Sequence, residues 1–491
     1  MSFLLCIPII LPILGGLGLL IAKFKERIKR QIYVASIIIA DMILSLIFIF
    51  TVPDQKFTLV QFTDTISITL KVDGMSTIFG MIVSILWVVA TFYSFEYMKH
   101  EGKENKFFAF FTMSMGVVMG IAFSANLITM YLFYELLTVA TLPLVMHSMD
   151  QKASSAGKKY VIYSITGASF GFVAIMLLMN YGVSLDFVYG GILDMAKVSG
   201  MEHLMLVAFI LAFFGFGVKA AIFPFYSWLP SAGVAPTPVS ALLHAVAVVN
   251  AGIFAITRVI YYSFGADFLR GSWAQTVVMV ATIITIVFGS SMALRTKHIK
   301  RRLAYSTVSN LSYMLFSLSL MTPAGMVGGL THMLFHSVLK ITLFFVAGAI
   351  IYKTGREYVD EIEGFGRSMP ITMACFTICS LGLIGLPPLM GFTSKWTIAS
   401  AAVESGNPLS YAGIGALIVS ALLTTLYLMI IVIKAYFPGK DLDVKTLNKD
   451  VKDPNMLMTI PMIALTAVSI IIGVYPTPFI SVFETIANGL F

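Results

Sequence analysis

Apolar residues arrive in fourteen runs in this sequence, most about as long as the roughly 20 helical residues that cross a hydrocarbon core. The runs lie near residues 3–22, 32–51, 77–96, 107–124, 126–147, 160–181, 205–229, 237–263, 274–294, 303–321, 325–351, 370–401, 411–437 and 458–479. With 58% hydrophobic and 11% charged residues, the chain reads as an all-α polytopic membrane protein in a lipid bilayer, and soluble enzyme folds are excluded. Three cysteines, Cys6, Cys375 and Cys379, are too few for a disulfide framework. The C-x-x-x-C pair sits in an apolar run with no second half-site, so no metal and no cofactor is expected.

The net charge of +8 would suggest nucleic acid in a soluble protein, but here the basic residues sort by loop. Loops after odd-numbered runs hold 23 Lys and Arg, and loops after even-numbered runs hold 4. By the positive-inside rule the odd loops are cytoplasmic, so both termini are expected outside. The clusters 23–30 and 297–302 then read as topology signals, and no nucleic-acid partner is expected. The first run is no cleavable signal, because no Lys or Arg precedes it and Lys23 follows it.

Five of the 32 basic residues, Lys219, Arg258, Lys340, Lys395 and Lys434, fall inside the runs. A charge at the bilayer centre costs at least about 2.5–3.5 kcal/mol on insertion scales, so such residues face a bundle interior or a wet cavity. Arg258 and Lys434 lie toward run ends, where snorkelling to the headgroups is the favoured reading. Lys219, Lys340 and Lys395 are harder to dismiss. Glu135, mid-run in MYLFYELLTVATLPLV, and Asp41 add acids at membrane depth. His332, His336 and Lys340 recur at i, i+4 and i+8, a stripe that drifts about 80° while climbing about 12 Å on a helix. Imidazole accepts and donates protons near neutral pH, so the stripe reads as a proton relay, with His244 a further member.

Two runs are interrupted. The seventh contains Lys219-Ala-Ala-Ile-Phe-Pro-Phe-Tyr-Ser-Trp-Leu-Pro230 and the twelfth Gly385-Leu-Pro-Pro-Leu-Met-Gly-Phe-Thr-Ser-Lys395, and each proline removes a helix hydrogen bond. Breaks in corresponding places of two halves point to an inverted-repeat transporter with ion sites at the midplane. The division expected is 1–106 for three peripheral helices, 107–263 and 264–437 for two inverted five-helix repeats, and 438–491 for a loop and a last helix. Simple proline kinks without a repeat are the alternative.

The stretches Gly217-Val-Lys-Ala-Ala-Ile-Phe-Pro-Phe-Tyr-Ser-Trp-Leu-Pro230, Pro236-Thr-Pro-Val-Ser-Ala-Leu-Leu-His244 and Lys300-Arg-Arg-Leu-Ala-Tyr-Ser-Thr307 resemble the antiporter-like membrane subunits shared by respiratory complex I, Mrp-type cation/proton antiporters and membrane-bound hydrogenases. The resemblance covers nearly the whole chain. It implies that Glu135 and Lys219 pair in the fifth and seventh spans, that His244 bridges, that His332, His336 and Lys340 connect, and that Lys395 is the terminal lysine. The chain's end at Phe491 suggests the shorter, fourteen-span type.

The expected function is proton translocation in a multisubunit complex of the prokaryotic plasma membrane, beside other membrane subunits. Na⁺ is left open as a second ion. No phosphate loop, haem or cluster ligand set or activated nucleophile is present, so the chain is not expected to be catalytic alone. Its drive would come from a redox partner or an ion gradient. A non-translocating scaffold in the same kind of complex is the competing reading.

Overall fold

A computed structural model describes residues 2–63, 65–439 and 451–489; residues 440–450 and 490–491 of the expected 438–491 segment lie outside them. All fourteen apolar runs carry helix. In chain order these are α1 (Ile7–Ala22), α2 (Arg27–Thr51), α3 (Gly74–Glu101), α4 (Glu104–Ala122), α5 (Leu127–Val145), α6 (Gln151–Tyr181), α7 (Glu202–Gly217), α8 (Thr237–Ala245), α9 (Val248–Thr257), α10 (Trp273–Arg295), α11 (Ile299–Ser319), α12 (Pro323–Thr354), α13 (Pro370–Ile384), α14 (Met390–Glu404), α15 (Pro408–Tyr436), α16 (Met456–Val474) and α17 (Thr477–Ala487).

Among the described residues, eleven helical stretches are long and apolar enough to cross a membrane alone, Thr237–Phe264 counted as one across its break. The runs at 205–229, 303–321 and 370–401 are the ones that do not qualify, for two reasons. The first and last are broken, leaving α7 with 16 residues and α13 and α14 with 15 each. In the other, α11 has the length but is rich in Ser, Thr and Asn, and it tolerates them because nearly all of it is buried in protein.

Local chemistry sets the helix ends. Asn126, Asp150 and Thr322 cap α5, α6 and α12 by accepting from Thr129 N, Ala153 N and Gly325 N at 2.8, 2.7 and 3.0 Å. Pro323 opens α12 with a preset φ, and Gly355 at φ +68° closes it. The centre of the bundle is α8, α9 and α12, buried through almost their whole length, while α2, α6 and α15 bury one face.

Two features depart from an uninterrupted helical reading. The 52–73 loop folds into an antiparallel hairpin, β1 (Lys56–Gln61) with β2 (Ser67–Lys71), joined to the end of α4 by Lys71 N to Phe123 O at 2.8 Å. Its alternating Thr, Val and Ile suit a strand, but the stretch is short beside the apolar runs around it. The eighth run breaks at Val246–Ala247, with no proline or glycine to announce it, and continues past α9 as a π-helical stretch, Arg258–Phe264.

Candidate functional site

The first break places Lys219. After α7 ends at Gly217, residues 218–227 are non-helical, and side chains take up the freed backbone groups. Tyr134 Oη donates to Phe216 O at 2.6 Å, Trp228 Nε1 to Val218 O at 2.7 Å, and Phe223 N to Thr285 Oγ1 at 3.1 Å. Lys219 reaches back to α5, where its ammonium donates to the carbonyl of Tyr134 and lies 3.6 Å from that ring's centroid. The expected pair with Glu135 is present but loose: Nζ to Oε1 is 4.0 Å, beyond hydrogen-bond range, and Glu135 Oε1 has no protein hydrogen-bond partner.

His244 is the penultimate residue of α8, at the unannounced break. The side-chain amide of Asn250 donates to the freed Ala245 carbonyl at 2.9 Å and to Ser337 Oγ at 2.8 Å. His244 is fully buried, lies 4.7 Å from the Phe344 ring, and leaves both ring nitrogens without a protein partner. His336, one turn below Lys340 on α12, is in the same condition. Lys340 donates to Leu303 O at 3.0 Å and to Ser306 Oγ, both on α11. His332 Nε2 lies 3.2 Å from Asn310 Oδ1, and Asn310 Nδ2 donates to Ser306 O at 2.7 Å, so α11 ties the two ends of the stripe together.

The second break places Lys395. Between α13 and α14, residues 385–389 leave the helix, with Gly385 at φ +97°, a conformation that glycine adopts without strain. The Lys395 ammonium lies against this glycine and donates to the Leu383 and Ile384 carbonyls, both at 2.8 Å. It sits 5.3 Å from the Tyr313 ring, which lies 5.3 Å from the His332 ring. His332 Nδ1 is also 2.9 Å from Ser394 Oγ, next to Lys395.

The expected residues thus fall into two groups. Glu135 with Lys219 form one. His332, His336, Lys340 and Lys395 form the other through α11 and α14, with His336 and His332 rings 6.2 Å apart; His244 lies within electrostatic reach of His336 and Lys340. No hydrogen bond or ion pair joins Lys219 to His244. Residues not anticipated from the sequence are the neighbours of this set: Tyr134, Ser306, Asn310, Tyr313 and Ser394. For Ser306, Asn310 and Tyr313 the sequence signal is an unusual density of hydroxyl and amide side chains in α11.

Snorkelling by Arg258 is corrected. It is fully buried, hydrogen-bonded to both Asp73 carboxylate oxygens at 2.7 Å, with Phe187, Phe254 and Tyr262 rings within 5.1 Å. Asp73 lies 185 positions away, at the N-cap of α3, so spacing could not reveal it. Lys434 does lie at a helix end, paired with Asp360.

Residues 124–430 match the family model described as NADH:quinone oxidoreductase/Mrp antiporter, TM. The chain belongs to this family. Residues 60–108 match a second model, the N-terminus of NADH-ubiquinone oxidoreductase (complex I) chain 5. A Na(+)/H(+) antiporter subunit from Alkalihalophilus pseudofirmus is 30% identical over 84% of this chain and 53% of its own length. The chain therefore spans about half of that relative. The NAD(P)H-quinone oxidoreductase chain 5 of a Picosynechococcus species is 28% identical over 97% of this chain and 76% of its own. The fold is that of a chain in the Mrp complex from Dietzia, with TM-score 0.84 at 19% identity, covering all of this chain and 98% of the other.

Proposed function

We propose that this chain is a proton-translocating membrane subunit of a multisubunit complex of the complex I, Mrp or hydrogenase kind. One observation carries the reading. Of the seven ionisable residues, only Glu135 and Lys395 are partly exposed, while Lys219, His244, His332, His336 and Lys340 between them are buried. That is a set of residues buried along its length and partly exposed at Glu135 and Lys395.

The partners along the row suit reversible charging. Lys340 and Lys395 are held by carbonyl and hydroxyl oxygens, which accept from an ammonium but carry no formal charge that would trap it. His244 and His336 keep both nitrogens free to take or give a proton. In our reading, movement or screening of the Glu135 charge releases a proton from Lys219. The proton then passes by way of water to His244, along the α12 stripe, and to Lys395. Each elementary charge crossing the membrane is worth about 2.3 kcal/mol per 100 mV, which coupling between nearby charged sites can match. Two inverted repeats at 107–263 and 264–437, fourteen spans and termini outside belong to the same reading, and so does a place among other membrane subunits in a prokaryotic plasma membrane.

The test is proton flux in proteoliposomes holding the assembled complex. Lys395→Ala should block flux with Glu135 and Lys219 intact, and undiminished flux in that variant would leave the scaffold reading standing.

A further inference from the structure

Outside this row, one ionisable group is buried with nothing to hold it. Asp41, at the middle of α2, is fully buried, and neither carboxylate oxygen has a protein hydrogen-bond partner. One turn further on the same face, Ser45 Oγ is buried and equally unpartnered. The antiparallel register of α2 on α3 is fixed by two contacts. Gln31 donates to Phe95 O at 3.3 Å, and Ile49 lies 3.1 Å from the Cβ position of Gly80. Interpolation between them sets Asp41 opposite Trp87 and Ser45 near Ser84.

Trp87 is buried, and its Nε1 donor is also without a partner. Its ring lies 5.5 Å from that of Phe111 on α4, beside Thr112, whose buried hydroxyl again has none. Five unpartnered polar atoms therefore share one level of three packed helices: two carboxylate oxygens, two hydroxyls and an indole N–H. Leaving such atoms unpaired is costly in protein, most of all for a charged one.

Among the described residues, no basic side chain of α1, α2, α3 or α4 reaches this level. Helix α1, packed on the same face, has no titratable side chain, and among the described residues before it the Cys6 thiol is the one titratable group. The titratable residues of α3 begin at Tyr93, those of α4 are Glu104 and Lys106, and those of α2 itself are Arg27, Lys29, Arg30 and Tyr33, all toward the opposite end.

We propose that Asp41 is a second proton-exchange site, separate from the lysine and histidine row. A carboxyl with no hydrogen bond and no fixed cation, at the level of an indole N–H and two hydroxyls, is built to exchange between a neutral acid and an anion. Exchange forms and breaks one O–H bond on Asp41 and leaves no other covalent change. Its location in α2 puts it outside both proposed repeats, so it stands whether or not the row conducts.

Infrared difference spectroscopy on the complex in membranes decides it. A carboxylic C=O band should appear at low pH, disappear as pH rises, and be absent from the near-isosteric Asp41→Asn variant. A band assigned to Asp41 that ignores pH, or no Asp41-dependent band at all, overturns the proposal. A hydrophobic carbodiimide, which reacts with protonated acids, should modify Asp41 with a yield falling about tenfold per pH unit above the midpoint. Protection by Na⁺ at constant pH would instead assign the site to a metal cation and overturn proton exchange.

Discussion

Two opposite-charge pairs among the buried helices share chemistry but not geometry. Arg258 and Asp73 meet in two hydrogen bonds of 2.7 Å inside an aromatic cage, while Lys219 and Glu135 stand 4.0 Å apart without a hydrogen bond. A bidentate buried pair fixes both partners, because separating them strands a charge. A loose pair lets either partner change charge while the helices stay where they are. Arg258 therefore ties the π-helical end of the eighth run to the start of α3, while Lys219 is held by the Tyr134 carbonyl and ring rather than by its carboxylate.

The largest effect expected follows from that tight pair. Asp73→Asn should destabilise the fold by about 3–5 kcal/mol, the usual cost of breaking a buried ion pair from one side, and the complex should fail to assemble. Normal assembly and melting of this variant would erase the distinction between the pairs. Glu135→Gln should do the opposite, leaving assembly intact while lowering proton flux about tenfold or more, the size of effect a change of about 1.4 kcal/mol gives. Flux at the wild-type rate in both Glu135→Gln and Lys219→Ala would make the loose pair structural too.

A smaller effect comes from Tyr134→Phe, which keeps the ring and the carbonyl under Lys219 but deletes the hydroxyl bonded to Phe216 O. About 1 kcal/mol of stability should be lost, with flux unchanged. A fall in flux as deep as that of Lys219→Ala would place the hydroxyl in the path.

The smallest effect concerns a third pair, at the surface. The Lys434 ammonium bonded to Asp360 holds that carboxyl below its ordinary range. A carboxyl lowered by folding stabilises above its unfolded range and loses that contribution as pH falls through its folded value. Exposed pairs contribute about 0.2–1 kcal/mol, so Lys434→Ala should melt marginally lower at neutral pH and converge with the wild type in acid.

The sequence made the membrane fold and the row legible because a lysine inside an apolar run is conspicuous, as is a proline pair. What stayed hidden has a common cause. The break at Val246–Ala247 carries no proline or glycine, and only the Asn250 amide that satisfies it hints at it. Arg258 looked like a snorkelling residue because its partner lies in a loop far away in sequence. Carbonyls that hold Lys219, Lys340 and Lys395 belong to the backbone, which every residue has, so no side-chain pattern could mark them. The hairpin was too short to stand out between longer apolar signals.

The Lys395 carbonyls have an electrical consequence. Leu383 and Ile384 end α13, and the aligned peptide units of a helix leave its carboxyl end partly negative, equivalent to about half an elementary charge. That field is built from covalent dipoles held in place by packing. Unlike a carboxylate, it cannot be neutralised by acid or carried off by a competing cation. In the translocation proposed above, a lysine facing that field would feel a steady pull, and the timing of its charge would be set from the side of Tyr313, Ser394 and His332.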